Sequence, residues 1–292
     1  MYKKLLFVVL IIEVFLYIFM FSDKKNIYRY VKFKINKINI NDLKLENYVI
    51  GVVAAEMPAT FSYESLRAQA VVSRTFAYQK IISGNISYDE LQFDKAQAYI
   101  TKKEMKDKWK SKYDDYYKTI KSAVNNTKGE IIVYNGKPIK AYYFSTSNGV
   151  TENSKSVFGE EEYLVSVDSS FDKYVKDYEI ETEFSVNDFL NKLGIDEKNI
   201  IVGEIKKSST NHVESLVINS RTFSGLNFRK MLNLRSTDFD IFVDKDKVKI
   251  ITRGYGHGVG MSQYGANYLA SKGQNYKEII KYFYHNVEII KM

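Results

Sequence analysis

Glu56 is the one carboxylate in a compact, mostly apolar segment, Tyr48-Val49-Ile50-Gly51-Val52-Val53-Ala54-Ala55-Glu56-Met57-Pro58. If residues 43–56 form a helix, Val52 and Val53 lie four and three positions before Glu56 and share its face. The carboxyl group is then on the buried side of a helix, at its C-terminal end. Desolvation and the negative end of the helix dipole both favour the protonated form there. A carboxylic acid that keeps its proton near neutral pH can act as a general acid. The plainer reading is a glutamate whose tip reaches solvent at a helix end, and the pattern alone allows both.

Three other groups of residues carry chemistry. Arg67 and Arg74 are seven apart in Glu64–Ala77 and so share a helix face. They can orient a sugar substituent or a carboxylate, or form a solvated stripe. Arg74, set among apolar residues, reads as the more buried. Tyr142-Tyr143-Phe144-Ser145-Thr146-Ser147-Asn148-Gly149 ends an apolar run in a loop of hydroxyl donors and acceptors, which a plain turn also explains. Gly254-Tyr255-Gly256-His257-Gly258-Val259-Gly260-Met261-Ser262-Gln263-Tyr264-Gly265-Ala266 has alternating glycines that can turn backbone N–H groups toward a ligand. It matches neither the dinucleotide fingerprint nor the P-loop. His257, between glycines, is expected to be more exposed than a core histidine and to act in catalysis or orientation of a substrate. His212 and His285 are the other histidines, so a histidine metal cluster is not expected.

The elements that position these groups read as α+β. Asn41 or Asp42 caps a helix to about Met57, and Pro58–Ser62 is a turn. A second helix runs from Tyr63 to about Ile82, with Ser62 as N-cap and small residues Ala68, Ala70, Ser73 and Ala77 that let another element approach. Lys102–Asn126 reads as one exposed, charged helix with Trp109 and Tyr116 inward. From Gly129, an Asn135-Gly136 hairpin signal separates two apolar runs. Residues 178–250 alternate short strands with small helices near Val186–Leu193 and Gly225–Leu232. The strand Lys247–Thr252 precedes the glycine turn, and helices follow over Ser262–Lys272 and from Tyr276. The whole is N-terminal helices, a central β-hairpin with mixed strands, and C-terminal helices, with an active-site groove expected between subregions.

Leu5–Phe21 is apolar except for Glu13, follows Lys3 and Lys4, and is long enough to span a bilayer, which needs about 20 residues. It lacks the small residues of a cleavage site, so an uncleaved anchor over residues 5–22 is expected. Residues 1–4 are then a cytoplasmic tail, 23–42 a strand-like juxtamembrane segment, and 43–292 the extracytoplasmic domain. The absence of cysteine excludes disulfides, Cys-ligated zinc and a thiol nucleophile. The net charge of +8 suits a polyanionic wall or membrane face, and no Arg-rich cluster or motif supports nucleic acid. The 24 tyrosines and 18 phenylalanines suit sugar stacking, although an AT-rich genome gives the same bias.

Gly51–Pro58, Ala68-Gln-Ala-Val-Val-Ser-Arg-Thr75, Tyr143–Gly149 and Gly256–Ala266 together resemble the stage II sporulation protein D family. The four blocks fall in the right order across nearly all of the expected extracytoplasmic domain, and only residues 165–250 match weakly. The resemblance implies a membrane-anchored lytic transglycosylase acting on peptidoglycan strands stripped of stem peptides during forespore engulfment. It also implies an amidase and other engulfment-complex membrane proteins as partners. It places the catalytic acid at Glu56, which would protonate the glycosidic oxygen and then accept the proton of the sugar's own C6 hydroxyl. Substrate binding is expected from Arg74, Tyr143, Ser145, Thr146, Ser147, His257, Gln263 and Tyr264. Some members bind zinc through a histidine and cysteines in and near the hydroxyl loop. Here Phe144 and Ser147 stand at two of those positions, so neither metal nor other cofactor is expected, with hydrogen bonds of Ser145, Thr146 and Ser147 holding the loop. A non-enzymatic, glycan-binding activator of an amidase is the rival expectation.

Overall fold

The structure, a computed structural model, describes residues 42–93 and 95–292. The expected anchor and nearly all of the juxtamembrane segment lie outside them. Among the described residues no helix is long and apolar enough to cross a membrane.

The fold is α+β, with helices and several small sheets. Helix α1 (Asp42–Glu56) and helix α2 (Tyr63–Ile82) form its centre. Ala68, Ala70, Ser73 and Ala77 on α2 are fully buried, and their small side chains let neighbours pack on every side. Those neighbours are α1, α4 (Tyr113–Asn125), α7 (Gln263–Ser271), α8 (Tyr276–Phe283) and β1 (Glu130–Tyr134). Ser62 precedes α2 as expected, but its side chain makes no capping bond; its N–H donates to Asn267 Oδ1 at 2.8 Å.

The single helix expected over Lys102–Asn126 is two. Helix α3 (Lys102–Trp109) opens with a Thr101/Glu104 capping box and ends where Lys110 takes a left-handed φ of 50°. A short 3-10 turn, Lys110–Lys112, leads into α4. The break brings the Trp109 ring edge-on to Tyr116 at 5.7 Å, and both rings pack inward as expected.

The hairpin forms at Asn135 and Gly136, both with positive φ, but its second strand β2 (Lys137–Pro138) is only two residues long. The apolar run beyond it does not continue the strand. The far edge of β1 is instead covered by β11 (Glu288–Lys291), antiparallel, an element the sequence reading lacks. Strand β3 (Tyr143–Phe144) pairs in parallel with β10 (Met261–Ser262). This short joint sets the hydroxyl loop beside the start of α7.

Residues 179–253 build a second core around Phe184, Phe189, Leu216, Phe228, Phe239 and Val248. It holds β4 (Glu179–Ser185), α5 (Val186–Leu193), β5 (Val202–Lys207), β6 (Val213–Ile218), β7 (Arg221–Ser224), α6 (Gly225–Met231), β8 (Phe239–Val243) and β9 (Lys247–Arg253). The strands form two antiparallel sheets, β4-β9-β8 and β5-β6-β7. Asn148, at the end of the hydroxyl loop, fastens this unit by donating to Asp238 Oδ2 and to the Thr210 carbonyl, both at 2.7 Å.

Candidate active site

Glu56 is the last residue of α1. Val52 and Val53 are fully buried as its helix face requires, but Glu56 itself is only half-buried, so neither simple reading of the sequence describes it. Its carboxylate lies in a polar setting built by three other segments. The backbone N–H of Ala98 donates to Oε1 at 2.8 Å. The Tyr143 hydroxyl donates to the same oxygen at 3.1 Å, and Gln263 Nε2 lies 3.4 Å from Oε2.

The approach of segment 97–100 depends on Gly51. A Cβ there would lie 2.2 Å from the Tyr99 ring, so only glycine lets the loop lie on α1. Ile100 N–H bonds to the Gly51 carbonyl and Tyr99 stacks on Tyr48 at 5.5 Å, which fixes the Ala98 amide over Glu56. On the other flank Lys108 Nζ donates to the Ala54 carbonyl at 3.1 Å, placing a cation at the negative end of α1.

A layer of buried polar side chains stands behind the carboxylate. Gln97 Nε2 donates to the Tyr143 oxygen at 3.0 Å, and Gln97 Oε1 accepts from the Tyr48 hydroxyl at 3.2 Å. On α2, Gln69 Nε2 donates to Ser73 Oγ at 2.8 Å. Burial, with the Glu56 charge beside it, pushes the Tyr143 hydroxyl well above the usual tyrosine range. Gln69, Ser73 and Gln97 are absent from the expected site. The first two carried a usable signal, since polar residues four apart on an otherwise apolar helix need a buried partner. Gln97, in an irregular loop, carried none.

Arg74 is not turned toward Glu56. It is fully buried, and its Nε and Nη2 meet both oxygens of Glu46 at 2.8 and 2.6 Å. Glu46 lies ten residues before Glu56 on α1, roughly 15 Å along the axis. The expected sugar contact gives way to a buried ion pair because an apolar surrounding demands a full set of acceptors.

The hydroxyl loop is engaged mostly with the protein itself. Thr146 exchanges backbone hydrogen bonds with Tyr255 at 3.0 and 2.7 Å. Ser147 is buried, its N–H donating to Asp172 Oδ2 at 2.8 Å and its hydroxyl to the Ser169 carbonyl at 3.4 Å. Asp172 Oδ2 also accepts from Ser262 Oγ at 2.6 Å. One carboxylate therefore joins the loop to the N-cap of α7, one residue before the Gln263–Glu56 contact. Burial raises the pKa of Asp172, opposed by those hydrogen bonds. Ser145 remains half-buried, and its carbonyl accepts from Tyr264 N–H at 3.1 Å; the Tyr264 ring packs edge-on against Phe61 at 5.0 Å. The loop does not fit zinc: Phe144 has no donor atom, and the Ser147 polar groups are occupied.

The glycine turn departs most from expectation. The N–H groups of Gly254 and Gly256 bond to the carbonyls of Tyr178 and Arg235 and do not face a ligand. The glycines serve close packing instead: a Cβ on Gly260 would lie 2.0 Å from the Tyr142 carbonyl oxygen. His257 is packed among Phe158, Phe144 and Tyr142, with ring centroids at 5.0, 5.7 and 6.0 Å. Its Nδ1 accepts from Val259 N–H at 3.1 Å. Burial, aided by the Arg229 charge, lowers its pKa to about 4, so it is neutral and buttresses β3.

The family model described as stage II sporulation protein, SpoIID, matches residues 34–134, a span that includes Glu56. Stage II sporulation protein D of Bacillus subtilis (strain 168) is 41% identical over 262 residues, covering 86% of this chain and 76% of the relative. That of Bacillus amyloliquefaciens is 41% identical over 261 residues, covering 86% and 75%. A protein of B. subtilis (strain 168) named amidase enhancer is 27% identical over 291 residues, covering 80% of this chain and 39% of the relative. With relatives 41% identical over 86% of this chain and three quarters of their own length, the chain belongs to the stage II sporulation protein D family.

Proposed function

We propose that the chain is a lytic transglycosylase that cuts peptidoglycan glycan strands, with Glu56 as both acid and base. The observation that carries this reading is the half-buried Glu56 carboxylate, oriented by an amide, a phenol and a carboxamide, with no other carboxylate hydrogen-bonded to it among the described residues. Glycoside hydrolysis needs a second carboxylate, as nucleophile or to activate water. An internal nucleophile removes that need. Glu56 gives its proton to the glycosidic oxygen as the bond to C1 breaks. The C6 hydroxyl oxygen then bonds to C1 and returns its proton to Glu56. The strand ends in 1,6-anhydro-N-acetylmuramic acid, and no water is consumed.

Gln263 reaches Glu56, and Tyr264 and Ser145, joined to each other by a backbone hydrogen bond, are proposed with Thr146, Ser147 and His257 to form the wall that receives the glycan. The substrate is a strand freed of stem peptides, and the setting is the cell membrane of a sporulating cell, anchored by residues 5–22 with the described residues outside.

A second reading, a glycan-binding activator of a peptidoglycan amidase, draws on the relative named amidase enhancer. An amidase is a partner under either reading. Mass spectrometry of peptide-free glycan strands incubated with the full chain in detergent separates them. Anhydro-ended fragments are expected; intact strands from active-folded protein would leave the activator reading.

A further inference from the structure

The two oxygens of Glu56 are not equivalent. Oε1 accepts two hydrogen bonds, from Ala98 N–H at 2.8 Å and from Tyr143 at 3.1 Å. Oε2 has the longer approach of Gln263 Nε2, at 3.4 Å. The amide can only donate. The direction of the Tyr143 hydroxyl is fixed by what surrounds it. Gln97 Nε2 donates to its oxygen at 3.0 Å. Gln97 is itself held by the Tyr48 hydroxyl on its Oε1, which turns its amino group toward Tyr143. With Gln97 donating to the Tyr143 oxygen and a carboxylate oxygen in reach, the Tyr143 hydrogen goes to Glu56 Oε1.

We infer that Tyr143 is a positioning residue: held by Gln97, it keeps Oε1 of Glu56 as a standing acceptor and assigns the transferable proton to Oε2. The inference rests on the reading of Glu56 as acid and base. The proton leaves Oε2 for the glycosidic oxygen and the proton of the C6 hydroxyl returns to Oε2. Neither transfer disturbs the two bonds on Oε1, so the carboxyl plane stays fixed through both steps, which is what positioning contributes to rate. Tyr143 thereby leaves the set of sugar contacts, because its hydroxyl is already engaged with Gln97 and Glu56.

The test uses the full chain in detergent with Tyr143→Phe, Gln97→Met and Tyr48→Phe. Two readouts are taken: the pH dependence of kcat on peptide-free strands, and the ¹³C carboxyl signal of Glu56 against pH without substrate, assigned by its loss in Glu56→Gln. In Tyr143→Phe, kcat falls about tenfold with little change in KM. The alkaline limb and the carboxyl titration both move up by about half to one pH unit, because the ionised form has lost a donor. Gln97→Met moves both the same way by less, and Tyr48→Phe least. A merely structural role lowers melting temperature without that ordered series. If Tyr143→Phe does not fold, Gln97→Met decides. A carboxyl titration unmoved in the folded variants overturns the inference whatever the glycan assay gives. Ordered titration shifts in a protein that releases no glycan support the Oε1 assignment and overturn the transglycosylase reading instead.

Discussion

Arg74 and Glu46 meet through two hydrogen bonds of 2.8 and 2.6 Å, with Arg74 0% and Glu46 5% exposed. The pair ties α2 to α1. It reaches further through Arg74 bonds to the carbonyls of Val124 and Glu130, and through the Gly129 N–H on Glu46. Removing one partner strands a buried charge, at a cost of about 3–5 kcal/mol. Arg74→Met is therefore expected to lower the urea midpoint sharply, and Arg74→Met with Glu46→Leu to recover part of the loss. An Arg74→Met protein as stable as wild type but unable to bind glycan would restore the sugar-contact role.

His257 gives stability a pH dependence of known sign. Its folded-state pKa is about 4, against about 6.5 in the unfolded chain. As pH falls, the unfolded chain takes up the proton first. The contribution is complete above pH 6.5 and is lost progressively down to about 4, amounting to about 3 kcal/mol. Urea midpoints of wild type and His257→Gln at pH 7, 5.5 and 4.5 measure it. The two proteins should converge as pH falls. Parallel curves would show that His257 carries a proton in the fold.

Much of this architecture was legible because it follows periodicity. The apolar spacing on α1 and α2, the small residues of α2, the Asn135-Gly136 turn and the two short helices of the second core stand where the pattern puts them. What the pattern could not give is long-range pairing. Strand β11 reads as the end of a chain until β1 is beside it, and the β3–β10 joint is two residues on each side. Residue types misled at Arg74 and His257. Arg74 is buried as its apolar surroundings suggested, but it meets Glu46 and not a sugar, and His257, half-buried, packs against rings distant in sequence. Lys110 and its break in the helix rest on one left-handed residue, for which lysine gives no signal.

Ser147 and Gln263 belong to one constellation but should fail in different ways. Ser147→Ala removes a buried hydroxyl that donates to Ser169 and accepts from Gly149 N–H at 3.1 Å. A loss of about 1–3 kcal/mol in stability is expected, with activity falling in step. Gln263→Ala removes the long contact to Oε2 and should lower turnover at nearly unchanged melting temperature. Thermal melts set beside turnover distinguish the two. Equal loss of stability in both variants would make Gln263 a packing residue.

Residues 5–21 form an apolar run with no small-residue cleavage site. Protein recovered from sporulating cells is expected to retain its N-terminus and to stay with membranes through high-salt and carbonate washes. Protease added after removal of the wall should degrade the remainder. A shortened soluble form as the main species would remove the anchor from the proposal.

Glu56→Gln keeps the shape of the side chain and, through its carbonyl oxygen, the contact with Ala98, and removes the transferable proton. General acid help alone is worth about 10²–10⁴-fold. Here the same group also takes the proton from C6, so no residual cleavage is expected, while folding and glycan binding persist. Because Glu56 must begin the cycle protonated, activity should fall on the alkaline side. All wild-type products should carry 1,6-anhydro ends, and reaction in ¹⁸O-water should leave the muramic acid unlabelled, since water enters no step. Labelled reducing ends would mean hydrolysis. That outcome requires a second carboxylate near C1 and would overturn the transglycosylase reading.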